Sequence, residues 1–255
     1  MKLVVCGKGG SGKSTIAALL AKQYARTGRR VLVVDTDESN ASLHRLLGIG
    51  VPKDLLGFFG GKKGMMEAFR EARENDVPKP LDCAWAIDNI PEEFISKKDG
   101  IQLVAIGKIH QAGEGCACPM GVLAKQFLSG LILSENDIVI IDTEAGIEHF
   151  GRGIDKVCNS ILMVIDPSYE SIHLAERVAS MAEQIDVPHY YILNKTDTMT
   201  ARALRDRIHD NKRIIGEINQ DQSILVAGLS GQELSSLYPE IESVAEVLGT
   251  KSGSS

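Results

Sequence analysis

Short runs of consecutive apolar residues recur along the chain, and they predict β-strands. Each run is rich in Val, Ile or Leu and lacks the apolar–polar alternation of a half-exposed strand. Both faces of the sheet are therefore expected to be buried, as in a parallel sheet. The seven runs are KLVVC (2–6), RVLVVD (30–35), IQLVAI (101–106), DIVIID (137–142), ILMVID (161–166), YYILNK (190–195) and RIIGEI (213–218).

Segments with the apolar spacing of α-helices lie between these runs, and the clearest are residues 14–28, 119–133 and 171–185. Gly28 stands where a glycine commonly ends a helix. The order of strands and helices predicts an α/β fold with a doubly wound, mostly parallel sheet of about seven strands flanked by helices. We expect one domain over residues 1–248 and a disordered tail over 249–255.

Residues 48–100 break this rhythm, with Gly and Lys clustered around 57–64 and prolines at 78, 80 and 91. A structureless connection of this length is uncommon inside a compact domain. We therefore interpret the segment as an insertion that carries one short helix, at about residues 65–74, and not as a second domain.

Composition excludes several classes of function. The chain has 255 residues, of which 44% are apolar and 5% aromatic, so the core should be aliphatic. A formal charge of −6 argues against nucleic acid as a partner, because phosphate contacts need clustered Lys and Arg. No apolar run reaches membrane-spanning length, and the first residues do not resemble a signal peptide. We expect a cytoplasmic protein without a membrane partner.

The first predicted strand leads directly into GKGGSGKS (7–14) and then a helix. This is the phosphate-binding pattern G-x-x-x-x-G-K-[ST] in its strand–loop–helix context. Its glycines let backbone N–H groups face phosphate oxygens, Lys13 would neutralise the β- and γ-phosphates, and Ser14 would bind Mg²⁺. The same glycines also fit the dinucleotide pattern G-x-G-x-x-G with Asp35 or Asp37 as the ribose-binding acid. The Gly-Lys-Ser completion favours a nucleoside triphosphate.

Lys8, the second lysine of the loop, gives it the form KGGSGKS. This form resembles the deviant Walker A loop of the MinD/ParA and nitrogenase iron protein group of P-loop NTPases, a SIMIBI-type fold. The resemblance implies a homodimer in which Lys8 reaches the nucleotide of the partner subunit and stabilises the transition state. The nucleotide-binding residues expected in the loop are Gly7, Gly9, Gly10, Ser11, Gly12, Lys13, Ser14 and Thr15.

Three later stretches agree with this family, and each lies at the end of a predicted strand. By resemblance, VVDTDESN supplies Asp35 to support the metal and Asp37 to orient the attacking water, and IVIIDTEAG supplies Asp142 to act on Mg²⁺. In ILNKTD, Asn194 would bind the adenine edge. The N-K-x-D string also resembles guanine-specific GTPases, but Lys8 favours ATP. Any single Asp at a strand end has an alternative role as a helix N-cap.

The family thus implies an ATPase that uses ATP/ADP and Mg²⁺. The expected catalytic residues are Lys8, Lys13, Asp37 and Asp142, and the expected magnesium residues are Ser14, Asp35, Asp37 and Asp142.

The stretch GEGCACPMGV (113–122) places Cys116 and Cys118 before a predicted helix with Pro119 in its first turn. A helix N-terminus favours the thiolate, which is the metal-binding form of cysteine. Two thiolates are half of a four-coordinate site, and a symmetric dimer would bring four together. Four thiolates suit Zn²⁺ or an iron–sulfur cluster, and Ni²⁺ is also compatible. Cys6, Cys83 and Cys158 are instead expected to be small buried side chains.

The C-x-C pair, together with EAGIEHFGRGID (144–155), resembles the CooC-type ATPases that mature nickel carbon monoxide dehydrogenase. The resemblance implies Ni²⁺ or Zn²⁺ bound between subunits by Cys116 and Cys118, and a carbon monoxide dehydrogenase or related nickel enzyme as client. Whether His110 or His149 takes part stays open. One alternative is an iron–sulfur reductase component like the nitrogenase iron protein. That family takes a second cysteine per chain from the region of residues 144–155, where this chain has none. Another is a MinD/ParA positioning ATPase, for which the acidic C-terminus offers no basic helix.

Overall fold

A mixed eight-stranded sheet organises the described part of the chain. The structure is a computed structural model that describes residues 1–38, 42–72, 78, 81, 84–108, 118–146, 153–154, 157–234 and 238–251. Its strands are β1 (Lys2–Gly7), β2 (Arg30–Asp35), β3 (Trp85–Ala86), β4 (Ser96–Lys98), β5 (Ile101–Ala105), β6 (Leu131–Ile132), β7 (Asp137–Asp142), β8 (Ser160–Ile165), β9 (His189–Thr196) and β10 (Ile214–Asn219). The order of the strands in the large sheet is β10-β9-β8-β1-β7-β2-β5-β4.

All seven predicted strands are present, and they pair with one another in parallel. Successive residues of β1 belong to two different hydrophobic clusters. Val4 and Cys6 belong to the cluster on one face of the sheet, and Leu3 and Val5 to the cluster on the other. The sheet is thus buried on both faces, which is why its strands are continuous apolar runs. The α/β, mostly parallel fold predicted from the sequence is confirmed.

The α-helices within the described residues are α1 (Lys13–Arg26), α2 (Leu43–Leu47), α3 (Leu55–Phe58), α4 (Gly61–Glu71), α5 (Cys118–Ser129), α6 (Tyr169–Gln184), α7 (Thr198–Arg207), α8 (Gln222–Ser230) and α9 (Pro239–Lys251). Gly28 follows the end of α1 with φ of 80°, and its N–H donates to the carbonyl of Ala25. It therefore ends the first helix as expected.

The helix predicted over 119–133 is too long at its C-terminal end. Helix α5 ends at Ser129, and the next residues form β6, which pairs with β3. Gly130 marks the boundary: its N–H closes the last turn on the carbonyl of Gln126, while its own carbonyl accepts from the N–H of Trp85. The apolar residues after Gly130 therefore pair as a strand instead of continuing the helix.

The described residues of the insertion (48–72, 78, 81 and 84–100) include several that pack in one hydrophobic cluster with the sheet. The single helix expected at about 65–74 lies at Gly61–Glu71, and the segment also contains α3, β3 and the antiparallel edge strand β4. Its aromatic residues pack together with α5: the ring centroid of Trp85 lies 6.3 Å from that of Phe94 and 5.8 Å from that of Phe127. The few aromatic residues are thus concentrated where the insertion meets the main domain.

Helix α9 packs against α1, and the Tyr24 hydroxyl donates to the carbonyl of Ala245. This helix continues through Lys251, three residues into the segment for which a disordered tail was predicted, and residues 252–255 lie outside the described part. None of the helices in the described ranges combines the length and the hydrophobicity that a membrane span requires.

Leu20 offers a direct test of the packing between α1 and the sheet. Its side chain is fully buried, so Leu20→Ala should lower the free energy of unfolding by about 2–5 kcal/mol, through lost burial and the cavity left behind. Leu229→Ala is the matched control, because Leu229 is 80% exposed. Urea unfolding followed by circular dichroism measures both; equal losses would contradict the described core.

Candidate nucleotide-binding site

The loop between β1 and α1 depends on glycine at two of its turns. Gly7 and Gly12 have φ of 150° and 101°. A Cβ atom at Gly7 would lie 2.5 Å from the carbonyl oxygen of Val164, and one at Gly12 would lie 2.3 Å from Nδ2 of Asn194. Any side chain at these positions would displace a neighbouring strand or Asn194. The backbone of the loop is therefore held close to the strand ends, with its N–H groups near the start of α1.

A cleft of about 760 Å³ opens over this loop. Most of the expected nucleotide residues line it, while Ser11 is buried beneath the loop. The lining residues are Gly9, Gly10, Gly12, Lys13, Ser14, Thr15, Asp37, Ser42, Leu46, Glu144, Ala145, Lys195 and Gly228. The cleft is thus large enough for a nucleotide and begins at the N-terminus of α1, where the helix dipole favours phosphate.

Three buried acidic residues lie at the carboxyl edge of the sheet beside Ser14. Asp35 ends β2, Asp142 ends β7, and the two are paired in register. The Ser14 hydroxyl donates to Oδ2 of Asp142 at 2.6 Å, and the N–H of Asp37 donates to Oδ1 of Asp35 at 3.2 Å. The structure therefore brings together all four residues expected at the magnesium site.

Burial and, after it, the neighbouring Asp35 carboxylate raise the pKa of Asp142 to about 7, although the Ser14 hydrogen bond opposes the shift. Burial also raises the pKa of Asp35 to about 6, against the opposing effect of the Lys108 ammonium. Two adjacent carboxylates and a hydroxyl are the hard oxygen donors that Mg²⁺ prefers. This donor set fits a magnesium ion.

The two lysines of the loop have different partners. Lys13 is almost fully buried, and its Nζ lies 3.3 Å from the carbonyl oxygen of Lys8. Nζ of Lys8 lies 3.1 Å from Oδ2 of Asp166 in the same chain, and the Lys8 side chain is 31% exposed. Hydrogen bonds from Ser171 and Ser168, together with Lys8, keep the pKa of Asp166 low despite its partial burial. Lys8 is therefore held by an ion pair and still reaches the surface.

Asn194 lies against the phosphate loop. Its Nδ2 donates to the carbonyl of Ser11 at 2.8 Å, so this amide group fixes β9 to the loop. The next residue, Lys195, donates from Nζ to the carbonyl of Gly10 at 2.7 Å. Its φ of 58° is unusual for a residue other than glycine. Asn194 thus has a structural contact within the chain, and its expected contact with adenine stays a prediction.

The residues that follow Asp142 lie against the phosphate loop. The N–H of Gly146 donates to the carbonyl of Gly7 at 3.1 Å, and Glu144 and Ala145 line the cleft. His149 lies outside the described residues.

Most of the predicted C-x-C site lies outside the described residues. Cys116, Cys83 and His110 are not described, and of Cys118 only the backbone is described, as the first residue of α5. Cys6 is buried and Cys158 half-buried, and neither belongs to a disulfide among the described residues. Apart from the carboxylates beside Ser14, the described residues contain no group of His, Cys, Asp or Glu side chains placed to hold a metal ion. Metal binding by Cys116 and Cys118 stays a prediction.

Sequence reasoning missed several residues that contact the site. Nζ of Lys108 lies 2.6 Å from Oδ2 of Asp35, and Lys62 of α4 lies 3.5 Å from the buried carboxylate of Glu38. Asp166 and Lys195 lie at the ends of predicted strands, a position that signals function in parallel sheets. Lys108 and Lys62 carry no comparable pattern in the sequence.

The phosphate loop, the acidic residues at the strand ends and the cleft above them are together the site of a P-loop nucleotide-binding protein. The family model of the CobQ/CobB/MinD/ParA nucleotide binding domain, CbiA, matches residues 2–234, and the chain belongs to this family of P-loop ATPases. The family implies ATP or ADP with Mg²⁺ as ligand.

The chain is similar over nearly its whole length to curated proteins. An uncharacterized ATP-binding protein of Methanocaldococcus jannaschii is 46% identical over 97% of this chain and 99% of its own length. The carbon monoxide dehydrogenase accessory protein CooC of Rhodospirillum rubrum is 32% identical over 97% of this chain and 94% of its own length.

Among solved structures, the septum site-determining protein MinD of Pyrococcus horikoshii, complexed with Mg-ADP, has a TM-score of 0.69 at 18% identity. The alignment covers 99% of this chain and 96% of that one. At this identity the likeness shows the fold alone.

Asp142→Asn should remove a pH-dependent loss of stability. The folded-state pKa of Asp142, about 7, lies above its ordinary value of 3.8. At pH values between these two, the carboxyl group is protonated in the folded protein and ionised in the unfolded chain. The contribution of Asp142 to the free energy of unfolding is fully present below pH 3.8 and is lost as the pH rises to about 7. Without Mg²⁺ and nucleotide, the free energy of unfolding of wild type should therefore fall relative to that of the variant between about pH 5 and pH 8.

Urea unfolding at several pH values measures this difference. Asp206→Asn, on the exposed surface of α7, controls for the loss of a carboxylate elsewhere. Parallel pH profiles for wild type and Asp142→Asn would contradict the described environment.

Proposed function

We propose that the chain is a Mg-dependent ATPase that dimerises when it binds ATP and carries a metal ion, which we take to be nickel, to a carbon monoxide dehydrogenase or related nickel enzyme. One observation carries this proposal: the helix that starts at Cys118 is linked by side-chain contacts to an aspartate of the nucleotide site. Met120 of α5 contacts Gly107, and the next residue, Lys108, contacts Asp35. The first turn of the helix that begins at Cys118 is therefore two contacts away from an aspartate of the nucleotide site.

The nucleotide half of the proposal follows from the chemistry of the cleft. Lys13 would neutralise the phosphates, and Asp37, which lines the cleft, would orient the attacking water. Ser14 and Asp142, with Asp35 and Asp37, would hold Mg²⁺, which when bound offsets the negative charge of the phosphates. Phosphoryl transfer needs little beyond such positioning and charge stabilisation.

The dimer half is supported by the surface around Lys8. Tyr169, Met199 and Leu229 are 71%, 83% and 80% exposed. Tyr169 and Met199 lie in the first turns of the helices that follow β8 and β9, and Leu229 belongs to the helix that follows β10, next to Gly228 of the cleft. These apolar side chains therefore surround the same edge of the sheet as the phosphate loop. A second copy of the chain would cover them and allow Lys8 to exchange Asp166 for the partner's phosphates.

The metal is the cargo of this reaction, and the thiolates of Cys116 and Cys118 would bind it. Each chain supplies two sulfur ligands, so a complete site needs both subunits. Tetrahedral sulfur coordination suits Zn²⁺ and planar coordination suits Ni²⁺. The client is proposed from the relative in Rhodospirillum rubrum, whose name describes a carbon monoxide dehydrogenase accessory protein. Hydrolysis would separate the subunits and release the ion.

Lys8→Ala should abolish ATP-dependent dimerisation and leave nucleotide binding by the monomer intact, because Lys8 is the residue proposed to act on the partner subunit. Size-exclusion chromatography with light scattering, with and without a non-hydrolysable ATP analogue, measures the dimer. Lys212→Ala is the control, since Lys212 is exposed and not proposed to contact nucleotide. A Lys8→Ala variant that still dimerises with ATP would refute the role in trans.

Replacing both Cys116 and Cys118 by Ser should abolish metal binding and metal-linked dimerisation, with nucleotide affinity unchanged. Anaerobic titration of Ni²⁺ and Zn²⁺ with elemental analysis is expected to show about one divalent ion per dimer in wild type. Cys158→Ser controls for loss of a partly accessible thiol. Metal uptake that survives the double substitution would refute the site, and an iron- and sulfide-rich wild type would favour a reductase.

A further inference from the structure

Lys108 makes two close contacts with the segment that carries the aspartates. Its Nζ donates to Oδ2 of Asp35 and to the main-chain carbonyl of Asp37, each at 2.6 Å. The side chains of Lys108 and Asp35 are 20% and 7% exposed, so water screens this ion pair much less than a surface pair. Asp35 is thus fixed on both oxygens, since its Oδ1 accepts from the N–H of Asp37.

The backbone that leads to Lys108 is held on both sides. The N–H of Ile106 donates to the carbonyl of Asp35 at 3.0 Å, and the carbonyl of Ile106 accepts from the N–H of Leu56 at 2.9 Å. A Cβ atom at Gly107 would lie 2.9 Å from both Cβ of Leu56 and Sδ of Met120. Gly107 is therefore enclosed between α3 and α5, and a shift of either helix must move it.

These contacts form a short continuous path. The path leads from the first turn of α5, through Met120 and Gly107, to Lys108 and on to Asp35 and Asp37. Each step is a van der Waals contact, a covalent bond or a hydrogen bond between described residues. Such a path transmits a displacement only if its residues have two arrangements. Binding of Mg²⁺ and phosphate beside the aspartates would favour one arrangement over the other.

We propose that Lys108 is a positioning residue that holds Asp35 and the backbone of Asp37 in place for hydrolysis and couples them to the start of α5. This inference rests on the proposed function, because it concerns the same nucleotide site. A purely structural role for Lys108, in which it only offsets the buried charge of Asp35, makes different predictions. Loss of the lysine would then lower stability without altering communication between the two regions.

Lys108→Met keeps much of the side-chain length and removes the charge. Nucleotide affinity, measured with a fluorescent ADP analogue and Mg²⁺, should stay close to that of wild type, because Lys108 does not line the cleft. The kcat for ATP should fall at least about fivefold with little change in KM, because Asp37 is no longer held in position. Lys108→Arg, which keeps the charge, should recover part of the loss.

Amide hydrogen exchange of the first turn of α5 provides the second readout and does not depend on turnover. In wild type, addition of Mg·ADP should change the exchange rate of peptides starting at residue 118, and in Lys108→Met this change should be lost. The matched control is Lys97→Met, because Lys97 is 63% exposed and pairs only with the surface residue Glu92 among the contacts described for it. It should behave as wild type in both measurements.

Either of two results would overturn the inference: a nucleotide-dependent exchange change that persists in Lys108→Met, or its absence in wild type. A loss of stability with unchanged kcat would also overturn it. If Lys108→Met does not fold, Lys108→Gln, which donates a hydrogen bond without charge, takes its place in the same tests. Failure of the proposed function is distinguishable, because it would appear as wild type without ATP hydrolysis or metal uptake while the ADP-dependent exchange persists.

Discussion

The buried carboxylates at the ends of β2 and β7 are the constraint around which the site is built. Asp35 and Asp142 are register neighbours in adjacent strands and are almost completely buried. Two acidic groups so close in a poorly solvated place repel each other, and their ionised forms are costly unless cations or donors are near. The Ser14 hydroxyl stabilises the ionised form of Asp142, and the Lys108 ammonium stabilises that of Asp35. A divalent cation would offset the remaining repulsion between the two carboxylates. The fold therefore favours binding of magnesium together with the nucleotide.

The parallel sheet explains why segments distant in sequence converge on this point. Parallel strands end at one edge, so the loops after β1, β2, β7 and β9 must share it. Hydrogen bonds between these loops keep them in register: Gly146 donates to Gly7, and Asn194 donates to Ser11. The positive φ of Lys195 indicates that the chain accepts local backbone strain where β9 meets the phosphate loop. A displacement of one of these loops would therefore disturb its hydrogen bonds to the neighbouring loops.

The insertion connects this edge with the helix that begins at Cys118. Helix α4 contributes Lys62 to the buried Glu38, next to Asp37, while Leu56 of α3 packs on Gly107 beside Met120. The insertion, which looked irregular in sequence, thus contacts Glu38 near the nucleotide site. It also packs beside the start of α5. The insertion therefore adds contacts between the start of α5 and the residues beside Asp35, in addition to the packing of Met120 in the core of the sheet.

The sequence by itself determined the strands, the phosphate loop and the acidic strand ends, because apolar runs and glycine spacing are local signals that survive without tertiary contacts. It also indicated the approximate extent of α1, α5 and α6. It did not determine where α5 stops, since the pairing of Trp85 with Gly130 joins residues far apart in the chain. Nor did it reveal Lys108, Lys62 or Asp166 as partners of the site. Ion pairs between distant segments have no periodicity, and only the packing of the insertion and the strand order bring those charges together.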